Sequence, residues 1–99
     1  MPARDLNQLR ADLQSALPRL ARQYAVASLS IFGSRVRGEQ RTDSDLDLLV
    51  RFERKPGLLR FTQLENELTD LLGIRVDLVL EDALKDNIGK RVKQELLSI

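Results

Sequence analysis

The sequence predicts an α/β domain with a three-stranded mixed sheet flanked by helices. Three observations carry this. Two leucine-rich segments place apolar residues at steps of three and four, the period of a helix with one buried face. Three short segments alternate apolar and polar residues or run apolar, and each is bounded by glycine, proline or charge, as strands are. A helical segment lies between the second and third strands, so those strands run parallel with a right-handed crossover. The 99 residues fit one domain spanning 1–99.

The first helix runs from Asp5 to Tyr24, with Leu6, Leu9, Leu13, Leu17, Leu20 and Tyr24 on one face. Asp5 is a candidate N-cap and Gln8, three residues on, can complete a capping box. Pro18 lacks an N–H and clashes with the preceding turn, so a break is expected near Ala16, with a second short helix starting at Pro18. The alternating segment Ser28-Leu29-Ser30-Ile31-Phe32 is the first strand, stopped by Gly33. Residues 33–44 form a charged, glycine-containing loop with room for one helical turn. Leu46 to Phe52 is the second strand: Leu46, Leu48, Val50 and Phe52 point one way, and Asp45, Asp47, Leu49 and Arg51 the other. Lys55-Pro56-Gly57 is a turn. Leu58 to Leu72 is an amphipathic helix stopped by Gly73. Val76 to Leu80 is the third strand. Asp82 is placed to cap a last helix carrying Leu84, Ile88, Val92 and Leu96. The basic residues Lys85, Lys90, Arg91 and Lys93 read as its wet face. Strands one and two, joined without a long helix, pair antiparallel.

Composition removes several chemistries. With no cysteine and no histidine, the chain has no disulfide, no thiolate site and no His-based nucleophilic catalysis, and zinc is disfavoured. A bound metal would need oxygen ligands, which selects Mg²⁺, Mn²⁺ or Ca²⁺. The net charge of +1 gives no global attraction to nucleic acid or membrane. No apolar run resembles a signal peptide or a membrane span, so a cytoplasmic location is expected.

Against that background one constellation stands out. Asp45 and Asp47 are two apart on a strand, so their carboxylates share a face about 6.6 Å apart along the backbone. Asp77 begins the parallel neighbour strand and falls beside them. Three clustered carboxylates repel, which raises at least one pKa, and a divalent cation removes that cost. Gly33-Ser34 ends the antiparallel first strand at the same end of the sheet. Glycine permits close backbone approach to a phosphate, and the Ser34 hydroxyl and nearby N–H groups can donate to it. Arg35, Arg37 and Arg41 add positive charge suited to a triphosphate. Each part alone is ordinary: an Asp-x-Asp is commonly a solvated strand face, and a Gly-Ser a strand-ending turn. Their order and spacing together point to metal-assisted phosphoryl or nucleotidyl transfer.

The stretch Phe32-Gly33-Ser34-Arg35-Val36-Arg37-Gly38 through Ser44-Asp45-Leu46-Asp47-Leu48-Leu49-Val50, followed by Arg75-Val76-Asp77-Leu78-Val79 and a closing segment from Ala83 to Glu95, resembles the minimal nucleotidyltransferase (MNT) family of the DNA polymerase beta-like superfamily. The resemblance covers nearly the whole chain. It implies that Asp45, Asp47 and Asp77 are catalytic and hold Mg²⁺, that Asp77 helps activate the attacking hydroxyl, and that Gly33 and Ser34 grip the β- and γ-phosphates of ATP. The resemblance also makes Arg37 a candidate phosphate contact and implies that pyrophosphate would be the leaving group. Many members of that family are antitoxins encoded with a HEPN ribonuclease toxin, and in that setting the resemblance implies a protein adenylyltransferase that moves AMP from ATP to a toxin tyrosine. This chain, without histidine, would be the antitoxin half of such a hetero-oligomer, and its small size implies that the partner presents the acceptor. Two alternatives remain open: a binding-only antitoxin that silences its toxin by covering it, and a standalone transferase for another acceptor.

Overall fold

The computed structural model describes residues 5–38, 45–83 and 95–99. In chain order they form α1 (Leu6–Tyr24), β1 (Val26–Phe32), α2 (Ser34–Arg37), β2 (Leu46–Phe52), α3 (Leu58–Leu72), β3 (Val76–Leu80), a 3₁₀ turn (Glu81–Ala83) and β4 (Leu97–Ser98). The α/β expectation holds, with one correction: among the described residues the mixed sheet has four strands, in the order β3-β2-β1-β4. β1 pairs antiparallel with both β2 and β4, and β2 pairs parallel with β3. Two residues are too short a run for alternation to reveal, and β4 becomes a strand only because β1 offers it a free edge at Ser30 and Ile31. Leu96, expected on the last helix, lies outside any helix and leads into β4. The other positions of that helix, Leu84, Ile88 and Val92, lie outside the described residues, as do Arg41, Ser44, Lys85, Lys90, Arg91 and Lys93.

α1 starts where the capping box predicts. The Asp5 carboxylate accepts from the Gln8 amide at 2.8 Å, and the Gln8 side chain accepts from the Asp5 amide. The expected break at Pro18 does not occur: α1 is one helix of 19 residues with Pro18 inside it. Leu9, Leu13, Ala16, Leu20 and Tyr24 are all buried on a single face that crosses the proline, while Pro18 and Gln14 are exposed. Packing along that face outweighs one missing amide donor, and water can satisfy the Gln14 carbonyl that Pro18 leaves open.

β1 starts two residues earlier than its alternation indicates. A bulge between Val26 and Ser28 breaks the period, so Val26 and Leu29, three apart, are both buried. Leu29, Ile31, Leu46, Leu48, Val50, Val76 and Leu78 form the strand half of the core, and α1 and α3 supply the other half through Leu9, Leu13, Leu20, Leu64, Leu68 and Leu72. Both long helices therefore cover one face of the sheet. Strand alternation sends Asp47, Leu49, Asp77 and Val79 to the opposite face. No helix among the described residues is long and apolar enough to cross a membrane.

Candidate active site

The site follows from register. In the antiparallel β1–β2 pair Phe32 lies opposite Asp47, so Gly33 leaves the sheet beside that aspartate. In the parallel β2–β3 pair Asp47 lies beside Asp77, and the Leu46 amide donates to the Arg75 carbonyl at 2.8 Å. One end of the sheet thus gathers Gly33, Asp47 and Asp77, as the sequence predicts, with Asp45 one residue before β2.

Gly33 has φ 85° and ψ −154°, a region open in practice only to glycine. It is also in close contact with its neighbour: a Cβ at this position would overlap the Asp47 carboxylate and lie 3.1 Å from its carboxyl carbon. Glycine here lets the β1 terminus and the Asp47 side chain occupy adjacent space. The chain then turns at once into α2, where the amides of Val36 and Arg37 donate back to the Gly33 carbonyl at 3.1 and 3.3 Å. That turn holds Ser34, half-buried, over the same end of the sheet.

Electrostatics single out Asp47. It is half-buried, and its pKa is raised above the usual 3.8, first by burial and then by the negative charges of Asp77 and Asp45; Arg37 and Arg35 oppose the rise. The predicted clash of like charges is therefore present, and it falls on the central carboxylate. Asp77 is exposed, and Asp45 reaches to 4.0 Å from Arg75 across a solvent-exposed pair that is worth little in water. Among the described residues no three acidic side chains are already gathered around one point. The expected three-way convergence is thus realised as an adjacent pair, Asp47 and Asp77, with Asp45 alongside. That suits Mg²⁺, which prefers one or two protein carboxylates and completes its octahedron with water and substrate phosphates.

Arg37, expected to meet phosphate, is 2.9 Å from Glu95. Its charge still reaches Asp47, so it borders the site while held by a residue just ahead of β4. Arg35 is the surprise. It is the one buried charged residue described, 7% exposed. In sequence it reads as one of three loop arginines. Four residues of helix are too few to show which face is inside, so no sequence signal marks it.

Two long helices on one face of the sheet, Asp47 and Asp77 on the other and a glycine turn at their shared end define a small nucleotidyl-transferring domain. The chain belongs to the nucleotidyltransferase domain family, whose model matches residues 8–98. It is 43% identical over 94 residues to the protein adenylyltransferase MntA of Thermococcus cleftensis, covering 95% of each chain. It superposes on a solved structure described as a minimal nucleotidyltransferase with a TM-score of 0.83 at 40% identity, covering both chains fully. A chain of the complex between tri-AMPylated Shewanella oneidensis HEPN toxin and MNT antitoxin shares the fold, with a TM-score of 0.64 and 17% identity over 91% of this chain and 70% of that one.

Proposed function

We propose that this nucleotidyltransferase is a Mg²⁺-dependent protein adenylyltransferase that moves AMP from ATP to a tyrosine of a HEPN-type ribonuclease toxin, and so serves as its antitoxin. The observation that carries the chemistry is the Asp47–Asp77 register beside Gly33. Support for the acceptor comes from the comparisons: one relative bears the name protein adenylyltransferase, and a chain that shares the fold comes from a complex of an AMPylated HEPN toxin with MNT antitoxin.

Asp45, Asp47 and Asp77 are the residues that would hold Mg²⁺. When bound, the ion offsets the carboxylate repulsion and the charge that builds on the pyrophosphate leaving group. Gly33 keeps Cβ bulk away from Asp47, which leaves that carboxylate free to face the ligand. Ser34 donates a hydrogen bond to a phosphate oxygen, and Arg37 and Arg35 add positive potential on the same side. Asp77, the exposed carboxylate, accepts the proton of the incoming tyrosine hydroxyl, whose reference pKa of about 10 makes it a weak nucleophile at neutral pH.

The test is direct. The purified pair is incubated with ATP and Mg²⁺, and the partner is weighed by intact-protein mass spectrometry. Gain of AMP on the toxin, mapped to tyrosine and absent with Asp47→Asn, is the expected result. A toxin that stays unmodified, yet is silenced equally by Asp47→Asn, would identify a binding-only antitoxin instead.

A further inference from the structure

We infer that Glu65 and Thr69, on the side of α3, are positioning residues for Asp77. Among the described residues β3 is the edge strand of the sheet, and the amides of it that point away from β2 have no strand partner there. Two of them find side chains instead. The Val76 amide donates to Thr69 Oγ1 at 3.1 Å, and the Leu78 amide donates to Glu65 Oε2 at 2.9 Å. These are the two residues flanking Asp77.

The geometry matches on both sides. Glu65 and Thr69 are four apart on a helix, about 6.0 Å along its axis. Val76 and Leu78 are two apart on a strand, about 6.6 Å along it. Because Gly73 turns the chain straight back, α3 and β3 run antiparallel, so Thr69 meets Val76 and Glu65 meets Leu78. The inward side of the strand is held by the β2 ladder, through the Arg75 carbonyl and the Asp47–Asp77 register. Asp77 is therefore pinned from both sides of its strand, and its own side chain is left to project from the sheet. Leu64, Leu68 and Leu72 are fully buried beside Glu65 and Thr69 and fix the helix that carries them. An edge strand without such caps frays, and its carboxylate would wander relative to Asp47.

The inference rests on the proposed role of Asp77, and the experiment separates the two. Glu65→Leu and Thr69→Val remove the acceptors at nearly constant volume; Glu65→Gln and Thr69→Ser keep an acceptor oxygen; Asp77→Asn is the reference. Amide hydrogen exchange at Val76 and Leu78 is measured by NMR on metal-free protein, and Mg²⁺·ATP affinity by calorimetry. Losing one hydrogen bond of this kind corresponds to about a tenfold effect. Exchange should accelerate about tenfold at Leu78 in Glu65→Leu and at Val76 in Thr69→Val. Mg²⁺·ATP affinity should fall by a similar factor in each, and the conservative variants should restore both readings. If Asp77→Asn loses affinity but Glu65→Leu and Thr69→Val do not, α3 does not position Asp77. If Glu65→Gln is as weak as Glu65→Leu, the hydrogen bond is not the agent and the inference fails. If Asp77→Asn binds as tightly as wild type, the proposed site itself fails and takes this inference with it.

Discussion

Gly33→Ala is the substitution that separates backbone strain from site disruption. At φ 85° and ψ −154° a side chain sits in a region that costs of the order of 1–3 kcal/mol for any residue but glycine. The new methyl also overlaps the Asp47 carboxylate. That carboxylate ends a short, half-buried side chain, so it can rotate aside; the overlap then appears mainly as a displaced Asp47 and only slightly as lost stability. The expected destabilisation is therefore the backbone term, about 1–3 kcal/mol, which for a domain of this size lowers the melting temperature by roughly 5–20 °C. Because the term belongs to the backbone, it should be nearly the same in an Asp47→Ala background, where the carboxylate is gone. Mg²⁺·ATP binding should drop in Gly33→Ala to the level of Asp47→Ala, even at temperatures where the variant is fully folded. Calorimetric melting of the four proteins of the cycle, with titration of nucleotide into each, reads both quantities. A Gly33→Ala protein within about 0.5 kcal/mol of wild type would refute the strain argument. Undiminished binding would refute the placement of Asp47 in the site.

Three further outcomes follow from particular residues. Asp47 has a raised pKa, so its charged form is disfavoured in the fold, and stability falls as pH rises from the ordinary value of 3.8 through the raised one; Asp47→Asn should melt higher than wild type at pH 7 without metal, and the difference should vanish when both are melted below pH 3.8. Ser34→Ala should weaken nucleotide affinity by about tenfold or less, the worth of one neutral hydrogen bond, and so by less than any aspartate change, as competition binding would show. Pro18→Ala restores an amide donor inside an exposed stretch of continuous helix and should stabilise the protein by about 1–3 kcal/mol in chemical denaturation; a loss of stability would mean that the proline ring itself packs usefully.

Much of this protein is legible in its sequence because the relevant signals are local or periodic. Asp5 and Gln8 mark the start of α1, Gly73 marks the end of α3, and alternation from Leu46 to Phe52 assigns Asp47 to the face opposite the core. The helix between β2 and β3 dictates a parallel pair, and equal strand starts then bring Asp47 and Asp77 side by side. What the sequence could not decide depends on energies shared between distant segments. A lone proline forecasts a broken helix, yet five buried side chains along one face keep α1 whole. Leu97 and Ser98 have no strand signal of their own and gain one from the open edge of β1. Arg35 becomes a buried charge only when α2 folds down onto the sheet. Glu65 and Thr69 look like the polar side of an amphipathic helix until the edge of β3 arrives to donate to them. Periodicity and caps are written within a few residues of themselves, whereas hydrogen bonds at a sheet edge and the burial of a charge exist only once residues far apart in the chain share the same space.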